Sequence, residues 1–206
     1  MIWKSLSGLG NTIEEKCIMT LNLKNFICLD VGFHYGWWSA LLLKNIGKKG
    51  KVYAWEPNSV LFQKYCKKWP FKNFKGYDYA LSNQKGTKKF YITEIEGRGS
   101  ELNSLRKKLN SKNKTKLIEL VKTDTLDNWW IKNNKENINF IKIDAEGHDY
   151  KILLGGKKMI KEIKPEFIWI EENSKNVSSF MKKNSYKKIY KFNRKGLKDS
   201  VWEKIL

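Results

Sequence analysis

The stretch Phe26-Ile27-Cys28-Leu29-Asp30-Val31-Gly32-Phe33-His34-Tyr35-Gly36 decides the fold. A short, mainly apolar run ends in an acid and then meets two glycines, the pattern of a buried strand that turns sharply into a helix. Trp37 to Ile46 supplies that helix, and Gly47 to Gly50 its stop. Gly32 and Gly36 let the backbone turn tightly and approach a ligand closely. The spacing is not the G-x-G-x-x-G of dinucleotide binding, so no pyrophosphate cradle is expected. The turn suits instead an amino-acid end. Asp30 can take an ammonium directly or through water, and backbone N–H groups after Gly32 can take a carboxylate.

Outward from this turn, strands and helices alternate. Strands are expected at Lys51–Trp55, Phe74–Leu81, Thr87–Thr93, Leu117–Lys122, Asn139–Asp144 and Phe167–Glu171. Helices are expected at Ser59–Trp69, Thr125–Asn133, Asp149–Ile163 with a break near Gly155-Gly156, and Asn176–Asn184. Lys187–Phe192 and Val201–Leu206 read as a closing hairpin through Gly196. Residues 94–116 are polar, hold Gly97 and Gly99, and read as a long mobile loop suited to closing over an acceptor. Residues 1–24 read as a lead-in. The order predicts an α/β fold: a Rossmann-like, mostly parallel seven-stranded sheet with an antiparallel edge, the class I methyltransferase variant of the doubly wound design.

Chemistry-bearing residues collect at the carboxyl ends of these strands, where open α/β sheets bind ligands. Glu56 ends the second strand and can accept hydrogen bonds from both hydroxyls of a ribose. S-adenosylmethionine carries a ribose and an amino-acid end but no phosphate, so the missing pyrophosphate fingerprint turns the cofactor reading toward it. Asp78 and Ala80, at the end of the third strand, are placed to face the adenine. Asp144, Glu146 and His148 lie within five residues of one another. Methyl transfer to a hydroxyl needs a base, or a divalent metal that lowers the hydroxyl pKa. Asp144 and His148 offer the base, with Glu146 beside them, and Asp144 with Glu171 the metal. Each also has an ordinary structural use: Glu146 at a helix N-terminus, His148 as a helix-start hydrogen bonder.

Composition bounds the rest. The 206 residues, 41% of them hydrophobic, suit one domain with a sizeable core. No apolar run approaches the ~20 residues of a membrane span, and residues 1–6 lack a secretory signal, so a cytoplasmic location is expected. Cys17, Cys28 and Cys66 have neither metal-site nor disulfide-framework spacing. The net charge of +20 invites a nucleic acid or an anionic glycan as partner. However, only Arg98, Arg106 and Arg194 are arginines. Lysine spread along the chain fits a compositional bias and a solvated surface better than the arginine forks that read phosphates and base edges.

Five ordered blocks then make a resemblance specific. Asp-Val-Gly-x-Asn-x-Gly-x-x-Ser is matched from Asp30 to Ser39, with His34 in the Asn place. Glu56-Pro57-Asn58, Ala80-Leu81-Ser82 and Thr125-Leu126-Asp127 follow, and Phe-Ile-Lys-Ile-Asp-x-Glu-Gly is matched from Phe140 to Gly147. The sequence resembles the FkbM family of methyltransferases. The resemblance implies S-adenosylmethionine as cofactor, with Asp30, Gly32, His34, Gly36, Ser39, Glu56, Pro57, Asn58, Asp78 and Ala80 around it. It also implies O-methylation, often of a sugar hydroxyl in a glycan or glycosylated metabolite. Trp37 and Trp38 offer flat faces for a sugar. Small methyltransferases of this type also occur as modules of larger glycan-building proteins in large DNA viruses. Two other readings stay open: an RNA ribose 2'-O-methyltransferase, and a non-catalytic basic domain that holds RNA or a glycan.

Overall fold

The computed structural model describes residues 12–95, 101–105, 113–192 and 199–205. Ile13–Thr20 forms α1, Ile27–Val31 β1, Trp37–Ile46 α2, Lys51–Trp55 β2 and Ser59–Lys64 α3, with a 3₁₀ turn at Cys66–Lys68. Phe74–Tyr77 is β3, Ala80–Leu81 β4, Gly86–Ile95 β5, Glu101–Ser104 β6 and Asn113–Asp124 β7. Then follow α4 (Leu126–Lys132), β8 (Phe140–Ile143), α5 (Asp149–Gly155), α6 (Lys157–Ile163), β9 (Phe167–Ile170), α7 (Lys175–Lys183), β10 (Tyr186–Lys191) and β11 (Ser200–Lys204).

Seven strands make one sheet in the order β10-β11-β9-β8-β1-β2-β3. The pairs β8–β9, β8–β1, β1–β2 and β2–β3 are parallel, and β11 runs antiparallel to both β9 and β10. This is the expected Rossmann-like sheet with its antiparallel edge. The strand order reverses at β1, where Val31 pairs with Trp55 on one side and Ile143 on the other. A crevice opens at such a switch point. Successive side chains leave opposite faces of a strand, and the core divides accordingly. Leu29, Val31, Trp55, Ile141 and Ile143 pack under α4 to α7 through Trp129, Ile152, Met159 and Met181. Cys28, Val52, Ala54 and Phe140 pack under α1 and α2 through Ile18, Leu42 and Ile46.

Several elements differ from expectation. The lead-in carries α1, opened by a capping box in which Thr12 and Glu15 each accept the other's backbone N–H. The third strand is two strands: β3 stays in the main sheet, whereas β4 leaves it to pair with β7. The described parts of 94–116 are strands rather than loop. β5 pairs with β7 from Gly86↔Thr123 to Ile95↔Asn113 and with β6 from Tyr91↔Ser104 to Glu94↔Glu101. A second, four-stranded sheet β4-β7-β5-β6 results, with Ala80, Phe90, Ile92 and Val121 as its own small core. The expected turn at Gly196 lies outside the described residues. Among the described residues no helix is long and apolar enough to cross a membrane. All three cysteines are buried thiols.

Candidate functional site

At the switch point lies a cavity of about 140 Å³. From the expected set, Gly32, His34, Glu56, Pro57, Ala80, Asp144, Glu146 and His148 line it. Trp55, Leu81, Phe90, Ser104, Leu105, Ala145 and Ile152 complete its wall together with Val31. Phe90, Ser104 and Leu105 come from the second sheet. The sequence predicts a strand at Thr87–Thr93 and a loop over an acceptor at 94–116; the polar stretch gives no signal that its part of the wall is built of strands.

The cradle is built on backbone. Gly32 has φ +92°, and a Cβ there would collide with the Asp144 carbonyl oxygen. Gly36 has φ +84° and caps α2, and a Cβ there would press on the rings of Phe33 and Trp69. Both glycines are thus required by close approach as well as by backbone angle. His34, also left-handed at φ 52°, donates its N–H to Glu56 Oε2 at 2.7 Å. Asn58 donates its N–H to Glu56 Oε1 at 2.9 Å and caps α3 with its own side chain. Glu56 is therefore oriented by both ends of the cradle, and each carboxylate oxygen keeps a lone pair for a further donor. Burial raises its pKa to about 7 against the pull of those two N–H groups.

Asp30 departs from expectation. It is fully buried and does not line the cavity. Ser39 donates its hydroxyl to Asp30 Oδ2 at 2.6 Å, and Lys142 Nζ lies 3.2 Å from Asp30 Oδ1. The acid expected to take a cofactor ammonium is already paired with an internal one. Gly36, Ser39 and Asn58 likewise shape the turn from outside the lining, and Asp78 is exposed and away from it. Trp37 and Trp38 also lie outside the lining; Trp38 packs edge-on against Trp169.

Lys142 is the residue that sequence reasoning passed over. It is 1% exposed, donates to the Gly32 carbonyl at 2.9 Å and stands 3.5 Å from Asp144 Oδ2. Burial opposes its charge, but Asp30 and Asp144 outweigh burial and hold its pKa above the ordinary lysine value. The signal was present: a lysine inside the apolar Phe140–Ile143 strand of a central sheet must find a carboxylate.

The loop after β8 brings the acids together. Asp144, Glu146 and Glu171 each place a carboxylate oxygen within 4.8 Å of the others, a set able to hold a metal ion. Glu171, off the cavity wall, is pushed up to about 10 by burial and by Asp144, Glu146 and Asp149. Glu146 (φ 52°) and Gly147 (φ 87°) turn the chain, and Asp149 accepts the N–H groups of Ala145 and Gly147 at 3.2 Å each. Ser104 donates to the Glu146 carbonyl at 3.0 Å, fastening the second sheet to this loop. His148 shares a 3.0 Å hydrogen bond through Nε2 with Ser82, and burial together with Lys88 and Lys151 lowers its pKa to about 4. At neutral pH it is an uncharged ring and a weak base. Asp144, 37% exposed at its side chain, is the acid that faces the cavity at the crossing of β1 and β8.

Comparison with known proteins agrees with this architecture. No curated protein sequence matches the chain. Among solved structures, an FkbM methyltransferase from Methylobacillus flagellatus KT superposes with a TM-score of 0.57 at 14% identity over 96% of this chain and 45% of that one. The chain thus spans less than half of that protein. Sp1610 from Streptococcus pneumoniae, described as a candidate tRNA (m1A22) methyltransferase and solved with S-adenosyl-L-methionine, gives 0.56 at 10% identity over 95% and 73%. TrmK from M. capricolum, solved with S-adenosyl-homocysteine, gives 0.50 at 14% identity over 94% and 67%. At these identities the likeness is one of fold. The sequence model described as the methyltransferase FkbM domain matches residues 30–192. This range carries the glycine turn, Glu56 and the acidic loop after β8, and the chain belongs to the FkbM methyltransferase family.

Proposed function

We propose that the chain is an O-methyltransferase acting on a sugar hydroxyl of a glycan or glycosylated metabolite, with S-adenosylmethionine as methyl donor. One observation carries the reading: Glu56 and Asp144 open on the same cavity from the ends of β2 and β8, with the glycine turn of β1 between them. When bound, S-adenosylmethionine supplies an electrophilic methyl on a sulfonium. Glu56 would accept hydrogen bonds from the two ribose hydroxyls, whereas the N–H groups of Phe33, His34 and Gly36 in the turn after Gly32 are already given to the Trp55 carbonyl, the Glu56 carboxylate and the Phe33 carbonyl. Leu81, Ala80 and Trp55 form the apolar part of the wall. Asp144 would accept the proton of the acceptor hydroxyl, whose oxygen would take the methyl while the C–S electron pair stays on the sulfur as a thioether. Lys142 holds Asp144 in place from below. His148, kept neutral and bonded to Ser82, lies on the wall where the acceptor would sit, while Phe90 and Leu105 exclude water on that side.

A divalent cation is a second way to acidify the hydroxyl, favoured by the convergence of Asp144, Glu146 and Glu171. RNA ribose methylation is a second hydroxyl chemistry the same acid could serve; the structural neighbour described as a candidate tRNA (m1A22) methyltransferase acts on a base nitrogen and does not speak for it. Transfer of labelled methyl from S-adenosylmethionine to glycans but not to RNA supports the proposal. Incorporation into RNA alone overturns it. Asp144→Asn is expected to leave cofactor affinity, measured by calorimetry, within about twofold and to lower turnover by about 10²–10⁴. Unchanged turnover removes Asp144 from the mechanism, and full activity in a strong chelator removes the cation.

A further inference from the structure

Five of the lysines gather at one place on the surface. A second groove of about 510 Å³ lies at the opposite end of β2 and β3 from the methyl-transfer cavity, and half of its lining residues are lysines. Lys48, Lys49 and Lys51 come from one segment, and Lys72 and Lys75 from another; all are exposed. Among the described residues no carboxylate lines the groove. Among the described residues Lys51 has an acid partner, Glu136 at 2.9 Å, and Lys75 lies over the Tyr77 ring at 5.3 Å.

The two segments are fixed to one another. The Asn73 amide donates to the carbonyls of Gly47 at 3.2 Å and Gly50 at 2.9 Å, and Val52 donates its N–H to the Asn73 carbonyl at 2.9 Å. Lys48 and Lys49 follow the end of α2, where the helix dipole favours cations. Lys72 and Lys75 flank the start of an edge strand, where no such dipole acts. A fixed concave array of like charges without counter-charges costs electrostatic energy in the free protein and gains it back on binding an anion.

The shape and the floor select the kind of anion. The groove is concave, whereas a membrane surface is flat. Proteins that hold single-stranded nucleic acid add exposed aromatic faces on which bases stack. Here Tyr53 is 8% exposed and packed against Trp129, and Phe74 packs against Phe33 and Trp69. We propose that this groove binds a linear anionic glycan, a sugar polymer bearing carboxylate or sulfate groups. It lies about 17 Å from Glu56 along β2, five residues at about 3.3 Å each, so a polymer held there is tethered within reach of the cavity while remaining outside it. The proposal goes beyond the methyl-transfer reading and stands without it.

Fluorescence anisotropy with a labelled heparin octasaccharide tests it, with a labelled oligouridylate of equal charge alongside. The groove variant is Lys48→Ser, Lys49→Ser, Lys72→Ser and Lys75→Ser together. The control removes equal charge from the other edge of the sheet at Lys175, Lys182, Lys183 and Lys191, all exposed. The expected result is octasaccharide affinity at least about tenfold weaker in the groove variant, a shallower salt dependence there, and a change under about threefold in the control. Equal loss in both variants shows net charge acting without a site and overturns the proposal, as does no wild-type binding at about 50 mM salt. Tighter binding of the oligouridylate than of the octasaccharide, lost in the groove variant, assigns the groove to RNA and also overturns it. Calorimetry with S-adenosylmethionine on all three proteins reports the cofactor site separately, so a failure of the methyltransferase reading leaves these outcomes intact.

Discussion

Lys142→Met removes an ammonium that lies 3.2 Å from Asp30 and 3.5 Å from Asp144, in a site 1% exposed. Asp30, fully buried, is then left with one donor, the Ser39 hydroxyl. Two outcomes are open to it, and both carry a cost. If it stays ionised, an unpaired buried charge costs about 3–5 kcal/mol. If it takes a proton, the cost at pH 7 is that of protonating a carboxyl of unfolded pKa near 3.9, about 4 kcal/mol at 1.36 kcal/mol per pH unit. The second route makes the deficit depend on pH. In the variant the folded-state pKa of Asp30 lies above its unfolded value. Its stability contribution is therefore complete below about pH 4 and is lost as pH rises toward the folded pKa. Burial already raises the Asp30 pKa in the wild type despite Lys142 and Ser39, so the deficit against wild type should be at most about 4 kcal/mol at pH 7 and at most about 1.5 kcal/mol at pH 5. Urea unfolding at both pH values measures it, and at neutral pH the melting temperature should fall by at most about 8–16 °C for a chain of this size. The double variant Asp30→Asn, Lys142→Met should recover most of the loss, because replacing a whole buried pair is far less costly than breaking it. A deficit below about 1 kcal/mol at pH 7, or one that does not shrink at pH 5, refutes the pairing argument.

Glu56, raised to about 7 by burial, is largely protonated below that pH, whereas ribose hydroxyls donate best to a carboxylate. S-adenosylmethionine affinity should therefore weaken as pH falls below 7, by up to about tenfold per unit, and calorimetry should show this dependence flattened in Glu56→Gln. Glu171, raised to about 10 by burial and its acidic neighbours, has a folded pKa above its unfolded one, so its contribution to stability falls as pH rises from about 4.5. Glu171→Gln should then raise the melting temperature at pH 8 and leave it nearly unchanged at pH 4.5. Gly32→Ala meets both a left-handed φ and the Asp144 carbonyl, and should cost more than the roughly 1–2 kcal/mol of the backbone angle alone, read from thermal melts.

Much of the main sheet was legible because its strands are short apolar runs closed by acids and glycines. The Phe26-to-Gly36 reading placed β1, the turn and α2, and the Asn139–Asp144 run located β8 beside it. Glu56 and Asp144 were found for the same reason: an acid after an apolar strand in this topology points at the crevice. Asp30 satisfied that rule equally well and yet faces inward, since local pattern cannot show that a lysine on a neighbouring strand, more than a hundred residues later, will neutralise it. The second sheet escaped because β5 and β7 pair across a long separation through polar residues, and hairpin strands of that kind gain their stability from cross-strand partners that composition does not name. Its contribution to the cavity, through Phe90, Ser104 and Leu105, went unread with it. The capping box at Thr12 and Glu15 was readable from its spacing alone.

The close crossing of Gly32 and the Asp144 backbone has a consequence for how the reaction is timed. In the proposed mechanism the glycine turn touches the residue that carries the base, and both hang from paired strands of one sheet, so the separation between donor cradle and base would be built into the β1–β8 register. No closing movement is needed to set it. The acceptor is the reactant whose translational and rotational freedom must still be lost in the complex. Substitutions in the β5–β7 wall should therefore change which acceptor is held and how well it is aligned, while the ruler between methyl and base stays the same length.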